Sequence, residues 1–508
     1  MNKISSRFLL LIAFISGFSI MAMEISASRL LAPYFGTSLF IWTNIIGIVL
    51  AALAGGYYYG GKLADRAPRL EILLRLIMAA GILFLFIPLA IKPLTSFIDI
   101  STLADQPASL AIFFSSLIVT IMLFSLPLLL LGMVSPFIIK LYSLSQAERV
   151  GELAGNVFAV STVGSILGTF LPTLYFIPVL GTRATIYIFA IILILLGILG
   201  LKKNIWRRFL LLLFLAIIFF SQTSIKANPD LIFEDESAYQ YIQVLKDKEG
   251  TNYLIFNEGG AIQSIYNKDK ILTGYYYDNF NILPYLADSE KRKNVLILGL
   301  AGGTIATQLN YFFKDEIEID GVEIDKKVIA AAKKYFGLDD SMVKIYNQDG
   351  RIFLRNNEKN YDIIIVDAYQ NELYIPWTMT TEEFWSLAKS RLNKDGLMAI
   401  NVNSTSQETD LLDAISNTIA SVFKYTYITK VDEDSWNYMI TASENELDFR
   451  SLTNLIKNKE LQNLTPNIIA QTKSLKYIEE QTILTDNRAP IEFLTEAMAL
   501  GYIKGLMD

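Results

Sequence analysis

Neither cysteine nor histidine occurs anywhere in the 508 residues. The first absence excludes disulfides, thiolate nucleophiles and cysteine-bound metal, and leaves the redox compartment unreadable. The second excludes imidazole both as a metal ligand and as a proton shuttle. A general base must then be a carboxylate, a tyrosine or a lysine. Charge is scarce too, but only locally: it is sparse before about residue 225 and ordinary after it. The formal net charge is -6, and the basic clusters are small and lie mostly between apolar stretches, so no nucleic-acid partner is expected.

What fills the first half is apolar. Hydrophobic residues make up 52% of the chain and concentrate in runs near 8–25, 39–60, 72–91, 110–131, 156–180, 184–201 and 209–225. A bilayer core takes about 20 apolar residues per helix. Residues 1–225 are therefore expected to form an all-α transmembrane bundle of six or seven helices, multi-pass in the cell membrane, with the lipid bilayer as a partner. Glu24 and Arg29 stand where a secretory signal would carry a small-residue cleavage site, so the first run reads as a span. Glu24 is costly in lipid, which makes it a functional candidate or a partner for Arg29. Lys and Arg cluster at the N-terminus and in alternate loops, predicting a cytoplasmic N-terminus. Six spans would keep the following domain inside and seven would put it outside. The small-residue runs Ala54-Gly55-Gly56 and Gly164–Gly168 suit close helix packing. Gly56 through Arg66 resembles the loop between the second and third helices of major facilitator transporters.

The second half alternates. Residues 229–290 read as a small antiparallel β subdomain, with strands at Gln240–Leu245, Tyr253–Asn257 and Ile262–Tyr266 separated by glycine-bearing turns. Residues 291–508 read as an α/β Rossmann-like domain of the class I methyltransferase type. Its strands are expected at Asn294–Gly299, Ile317–Ile324, Met342–Tyr346, Asp362–Val366 and Leu397–Val402, with helices through Tyr311, at Lys326–Phe336 and at Thr381–Leu392. Short apolar strands between helices imply a parallel sheet covered on both faces. Ligands in such sheets bind at the carboxyl ends of the strands.

Four of those ends carry the same kind of chemistry. The first closes in Gly299-Leu300-Ala301-Gly302-Gly303, where glycines admit a close backbone approach. The second ends in Glu323, suited to ribose hydroxyls. The third ends in Asp349-Gly350, suited to an adenine amino group, and the fourth in Asp367, beside the reactive part of a ligand. Each acid alone could be a helix cap. Acids at successive strand ends point together to a nucleoside-type ligand. The turn lacks the third glycine of a dinucleotide fingerprint and has no phosphate-binding Lys, which disfavours NAD and ATP.

Over roughly residues 230–440 the chain resembles the spermidine synthases, the polyamine aminopropyltransferases. The marks are Tyr239 through Val244, Asn257 through Ser264, the glycine-rich turn, Val322 through Asp325, Asp349-Gly350 and Tyr361 through Asp367. With Glu24 through Gly36 and Thr485 through Pro490, the whole chain looks like the membrane-fused members of that group. The resemblance implies transfer of an aminopropyl group from decarboxylated S-adenosylmethionine to a small-molecule amine such as putrescine. It implies Gln240 near the sulfur and ribose, Glu323 on the ribose, Asp349 and Gly350 on the adenine, and Asp367 as base on the attacking amine. Gln263, Tyr277 and Gln370 are the candidate acceptor-side residues. A homodimer is compatible with it, and no permanently bound cofactor or metal is expected.

Three positions depart from the family pattern. Ala301 stands where an Asp holds the donor's amine, Gln370 where a second Asp helps bind the polyamine, and Tyr277 where a His is frequent. Asp278 and Glu372 are acids that could replace the missing carboxylates. Two alternatives stay open: a methyltransferase using intact S-adenosylmethionine, and a non-catalytic, transporter-like sensor.

Overall fold

The structure is a computed structural model that describes residues 6–35, 39–97, 108–144, 149–200, 228–257, 261–287, 292–370, 373–433 and 435–505. It divides into two compact units, Met1–Ala227 with Glu236–Tyr241, and Asn228–Asp235 with Ile242–Asp508.

The first unit is helical. Helices Ser6–Phe35, Leu39–Arg66 and Leu70–Phe97 are followed by Ala108–Thr120, which runs through a π-helical turn at Ile121–Ser125 into Leu126–Gly132 and then Val134–Ser143. Val150–Leu171 passes a second π turn, Pro172–Phe176, and Thr182–Gly200 follows. A proline inside a helix removes one backbone donor and crowds the preceding turn, and a wider π turn is one way to absorb it; Pro172 opens the second one. Among the described residues five helices are long and apolar enough to cross a membrane, and Thr182–Ile198 is a shorter apolar one. The expected run at 209–225 lies outside the described residues.

Small residues set the closest helix approach. A Cβ on Gly164 would run into the carbonyl oxygen of Phe14, one on Gly168 into that of Phe18, and one on Gly17 into that of Ser161. Helices Ser6–Phe35 and Val150–Leu171 thus touch backbone to backbone, as the small-residue run predicts. Gly56 likewise abuts the carbonyl of Leu129. The transporter-loop resemblance fails locally: Gly56 through Arg66 is helix to its end, and the turn is only Ala67 to Arg69.

The second unit holds two sheets. Strands β1 (Leu231–Glu236), β2 (Tyr241–Lys246), β3 (Asn252–Phe256) and β4 (Ile262–Tyr266) form one in that order, with β2, β3 and β4 antiparallel. The other comprises β5 (Lys293–Leu298), β6 (Ile317–Glu323), β7 (Lys344–Asn347), β8 (Tyr361–Val366), β9 (Leu392–Asn403), β10 (Tyr425–Lys430), β11 (Asn437–Ser443) and β12 (Thr472–Leu475). Its order is β12-β10-β11-β9-β8-β5-β6-β7. The five strands from β9 to β7 are parallel, and β11, β10 and β12 extend them antiparallel. This is the expected α/β class, with a small antiparallel sheet ahead of it. β8 is buried along its whole length, which is why Ile363 through Val366 reads as continuous apolar sequence rather than alternation. β5 lies between β6 and β8, so the winding reverses there and opens a crevice at the strand ends.

Candidate active site

The turn after β5 is held by strained and crowded backbone. Gly299 has φ of 90°, and a Cβ there would collide with the backbone carbonyl of Asp367. Gly302 leaves no room either, since a Cβ would sit 2.6 Å from Ser264 Cβ. Its N–H donates to Ser264 Oγ at 2.8 Å. Two residues on, Thr304 Oγ1 accepts from Ile265 N–H and donates to Ile265 carbonyl, both at 2.9 Å. The small sheet is therefore fastened to the glycine turn by two side chains.

Glu323, at the end of β6, is buried and receives two backbone donors. Ala301 N–H reaches its Oε2 at 3.0 Å and Asp325 N–H its Oε1 at 2.9 Å. Burial still dominates and pushes its carboxyl up to about 7. Ala301 adopts a left-handed φ of 47° to make that bond. At the third strand end Asp349 Oδ1 caps helix Gly350–Asn356 by accepting from Ile352 N–H at 2.8 Å. Gly350 packs against Met379 and Leu298, which keeps that cap next to the end of β5.

Asp367 follows β8. Its backbone N–H donates to Leu298 carbonyl at 2.9 Å, so it is carried on the same strand pair as the glycine turn. Tyr276 O–H donates to Oδ2 at 3.0 Å, and Asn401 Nδ2 to Oδ1 at 3.3 Å. Burial pushes the carboxyl up to about 7 although both hydrogen bonds pull it down. Tyr369 is pinned across β9, its hydroxyl donating to Asn401 carbonyl at 2.9 Å and accepting from Asn403 N–H at 3.0 Å. Burial and the Asp367 charge raise the Tyr276, Tyr277 and Tyr369 phenols, so all three stay protonated near neutrality. The arrangement is a carboxyl that can take up a proton near pH 7, ringed by neutral donors.

Gly299, Gly302, Glu323 and Asp367 converge on one turn, with Asp349 and Gly350 at the neighbouring strand end. Gln263 occupies a bulge in β4: Ile255 pairs with Ile262 and Leu254 with Ser264, leaving Gln263 as the extra residue. Tyr277 is buried, its ring 4.0 Å from that of Tyr276, and its hydroxyl donates to Ile262 carbonyl. Gln370 is exposed and bridges to Tyr374. Gln240 is buried in the segment Glu236–Tyr241, which groups with the helical unit. Asp278 is not free to replace a missing carboxylate. It is buried, accepting from Thr273 N–H, Gly274 N–H and Gln308 Nε2. Glu372 lies outside the described residues. Tyr276, Tyr369 and Asn401 escaped the sequence reading. Asn401 was within reach of it, because β9 is a fifth parallel strand whose end obeys the same rule as the other four.

A parallel sheet with this strand order and this row of acids at its carboxyl edge defines an α/β domain of the class I methyltransferase type. Residues 281–451 match the family model described as spermine/spermidine synthase domain, and the chain carries that domain in its C-terminal half. A probable polyamine aminopropyl transferase of Bifidobacterium longum is 32% identical over 285 residues, covering 53% of this chain and 63% of that protein. A polyamine aminopropyltransferase of Alkaliphilus oremlandii is 33% identical over 183 residues, covering 34% and 60%. The chain thus spans about three fifths of the length of these curated relatives. Spermidine synthase from Thermotoga maritima aligns at 19% identity with a TM-score of 0.38, over 55% of this chain and 88% of that one.

Proposed function

We propose that the chain is a membrane-anchored aminopropyltransferase that uses Asp367 as its base. The observation that carries this reading is the Asp367 carboxyl, raised to about 7, bonded to Tyr276 and Asn401, and set beside the turn that bears Gly299. In this reading Glu323 takes the ribose hydroxyls, Asp349 and Gly350 the adenine, and the glycine turn lies against the nucleoside. The donor is decarboxylated S-adenosylmethionine, whose sulfonium already activates the carbon under attack. The acceptor nitrogen forms the new N–C bond while the C–S bond breaks and its electron pair returns to sulfur. Methylthioadenosine leaves, and the proton of the new ammonium passes to Asp367. The protein's work is to align the nucleophile and receive that proton. Gln240, Gln263, Tyr277 and Gln370 remain acceptor-side or sulfur-side candidates.

Ala301 favours a second reading, methyl transfer from intact S-adenosylmethionine, since no carboxylate stands there to hold the donor's amine. One experiment separates the two. Purified full-length protein is incubated with each donor and with putrescine. We expect methylthioadenosine and spermidine in equal amounts from the decarboxylated donor. S-adenosylhomocysteine from the intact donor would select the second reading, and neither product with any amine acceptor would defeat the first.

A further inference from the structure

Asp367 is backed by a chain of three amides. A carboxylate only accepts hydrogen bonds, so Asn401 must turn its NH2 toward Asp367 Oδ1. An amide can present either end, and its other neighbour decides which. Asn401 Oδ1 accepts from Asn437 Nδ2 at 3.2 Å, and the same Nδ2 donates to Asn403 Oδ1 at 2.7 Å. Asn437 Oδ1 in turn accepts from Ser435 Oγ at 3.2 Å, while Ser435 Oγ receives Asn437 N–H at 3.0 Å. The β9–β11 register sets Asn437 opposite Asn403 and Met439 opposite Asn401, which brings the amides together. Along the side chains that lead to Asp367 the donors point one way: Ser435 to Asn437, Asn437 to Asn401, Asn401 to Asp367. Hydrogen bonds in such a row polarise one another toward the charged end.

We propose that Asn437 is a positioning residue which, through Asn401, fixes the amide orientation that keeps Asp367 aligned and able to ionise. The proposal rests on the reading of Asp367 as the base. The titratable groups that face Asp367 are Tyr276 and Tyr277, from the segment Tyr276–Ile282, and Tyr369, from the loop after β8. All three are neutral, so among the described residues the amide row is what supports the anion from the β9 side.

The decisive variant is Asn437→Asp. A carboxylate at that position draws the Asn401 NH2 to itself and leaves Asn401 Oδ1 facing Asp367, which then retains its proton. Asn437→Ala removes the bias without inverting it. The readout is an infrared pH titration of the purified full-length chain, in which the carboxyl band lost in Asp367→Asn belongs to Asp367. We expect its midpoint to rise by about one pH unit in Asn437→Asp, a tenfold loss of ionised fraction at a given pH below it, and by less in Asn437→Ala. The acid limb of kcat/KM should move with it, while KM for the donor stays. A folded Asn437→Asp protein with a wild-type midpoint overturns the proposal. Should that variant not fold, Ser435→Ala is read instead: it should raise the midpoint in the same direction, and an unchanged midpoint counts against the proposal equally. The titration needs no turnover, so a shifted midpoint in a protein that transfers no aminopropyl group defeats only the function proposed above.

Discussion

Asp367 is held with a carboxyl pKa of about 7 against an ordinary 3.8, and that difference acts on stability as well as on chemistry. The folded state keeps a proton that the unfolded chain releases at lower pH. The stabilisation is therefore complete below pH 3.8 and is lost as pH rises through 7. Glu323, also raised to about 7, acts in the same direction. We expect Asp367→Asn to raise Tm at pH 8, by an amount worth at most a few kcal/mol, and to change it little at pH 4. The same variant should lower turnover about 100- to 10,000-fold while still binding the donor. Thermal melts at the two pH values and a donor-binding isotherm check this, and a melt unchanged at pH 8 counts against it. The acids themselves were legible in the sequence because strand ends can be read from the local pattern. Their partners were not. Tyr276 lies 91 residues and Asn401 34 residues from Asp367, and no local pattern encodes contacts at such distances.

Among the elements, the joint between β4 and the helix Thr304–Phe313 decides whether the glycine turn keeps its shape. Thr304 Oγ1 meets both the N–H and the carbonyl of Ile265 in that joint. Thr304→Val keeps the volume but leaves two buried backbone groups without that hydroxyl. We expect it to cost about 1–3 kcal/mol in urea unfolding and to weaken donor binding, because Gly302 and Ser264 share the joint. A loss well under 1 kcal/mol would mean the Ser264 bond suffices alone. The alternation of strand and helix was readable from β5 to β9 because β5, β8 and the second half of β9 are short apolar runs set between helical patterns. β1, β10, β11 and β12 were missed: Leu231–Glu236 ends in three acids, Thr472–Leu475 is short, polar and half exposed, and Tyr425–Lys430 and Asn437–Ser443 are an antiparallel pair beyond the alternation of strand and helix. The expected helix to Leu392 ends at Ser390 instead, and β9 begins at Leu392. Thr485 through Pro490, a family mark in the sequence, proves to be a clamp as well. Asp486 takes both Arg351 guanidinium nitrogens, at 2.7 and 2.6 Å, and the Thr381 hydroxyl, and the guanidinium holds its carboxyl below the usual range.

For the whole molecule, the contrast between an apolar first half and a charged second half is the feature the sequence displays most openly. Among the described residues five helices, with mean hydropathy of 1.7 to 2.6 over their most apolar stretches, are long enough to span a bilayer core. We expect the full chain to remain with membranes through alkaline carbonate washing and to leave them only in detergent. Release by carbonate alone would contradict a spanning bundle. The count of spans was less legible. The π turns at Ile121–Ser125 and Pro172–Phe176 fall inside expected apolar runs, whereas Thr182–Ile198 is a shorter apolar helix and 209–225 lies outside the described residues.

Ala301 gives the donor question an evolutionary side. Its backbone sits at a left-handed φ of 47°, a region that costs an alanine about 1 kcal/mol and suits aspartate better. Exchanging one for the other would relieve the main chain rather than burden it. A carboxylate can therefore be gained or lost at this position without crossing a poorly folded intermediate, so that its side chain varies independently of the scaffold that carries it.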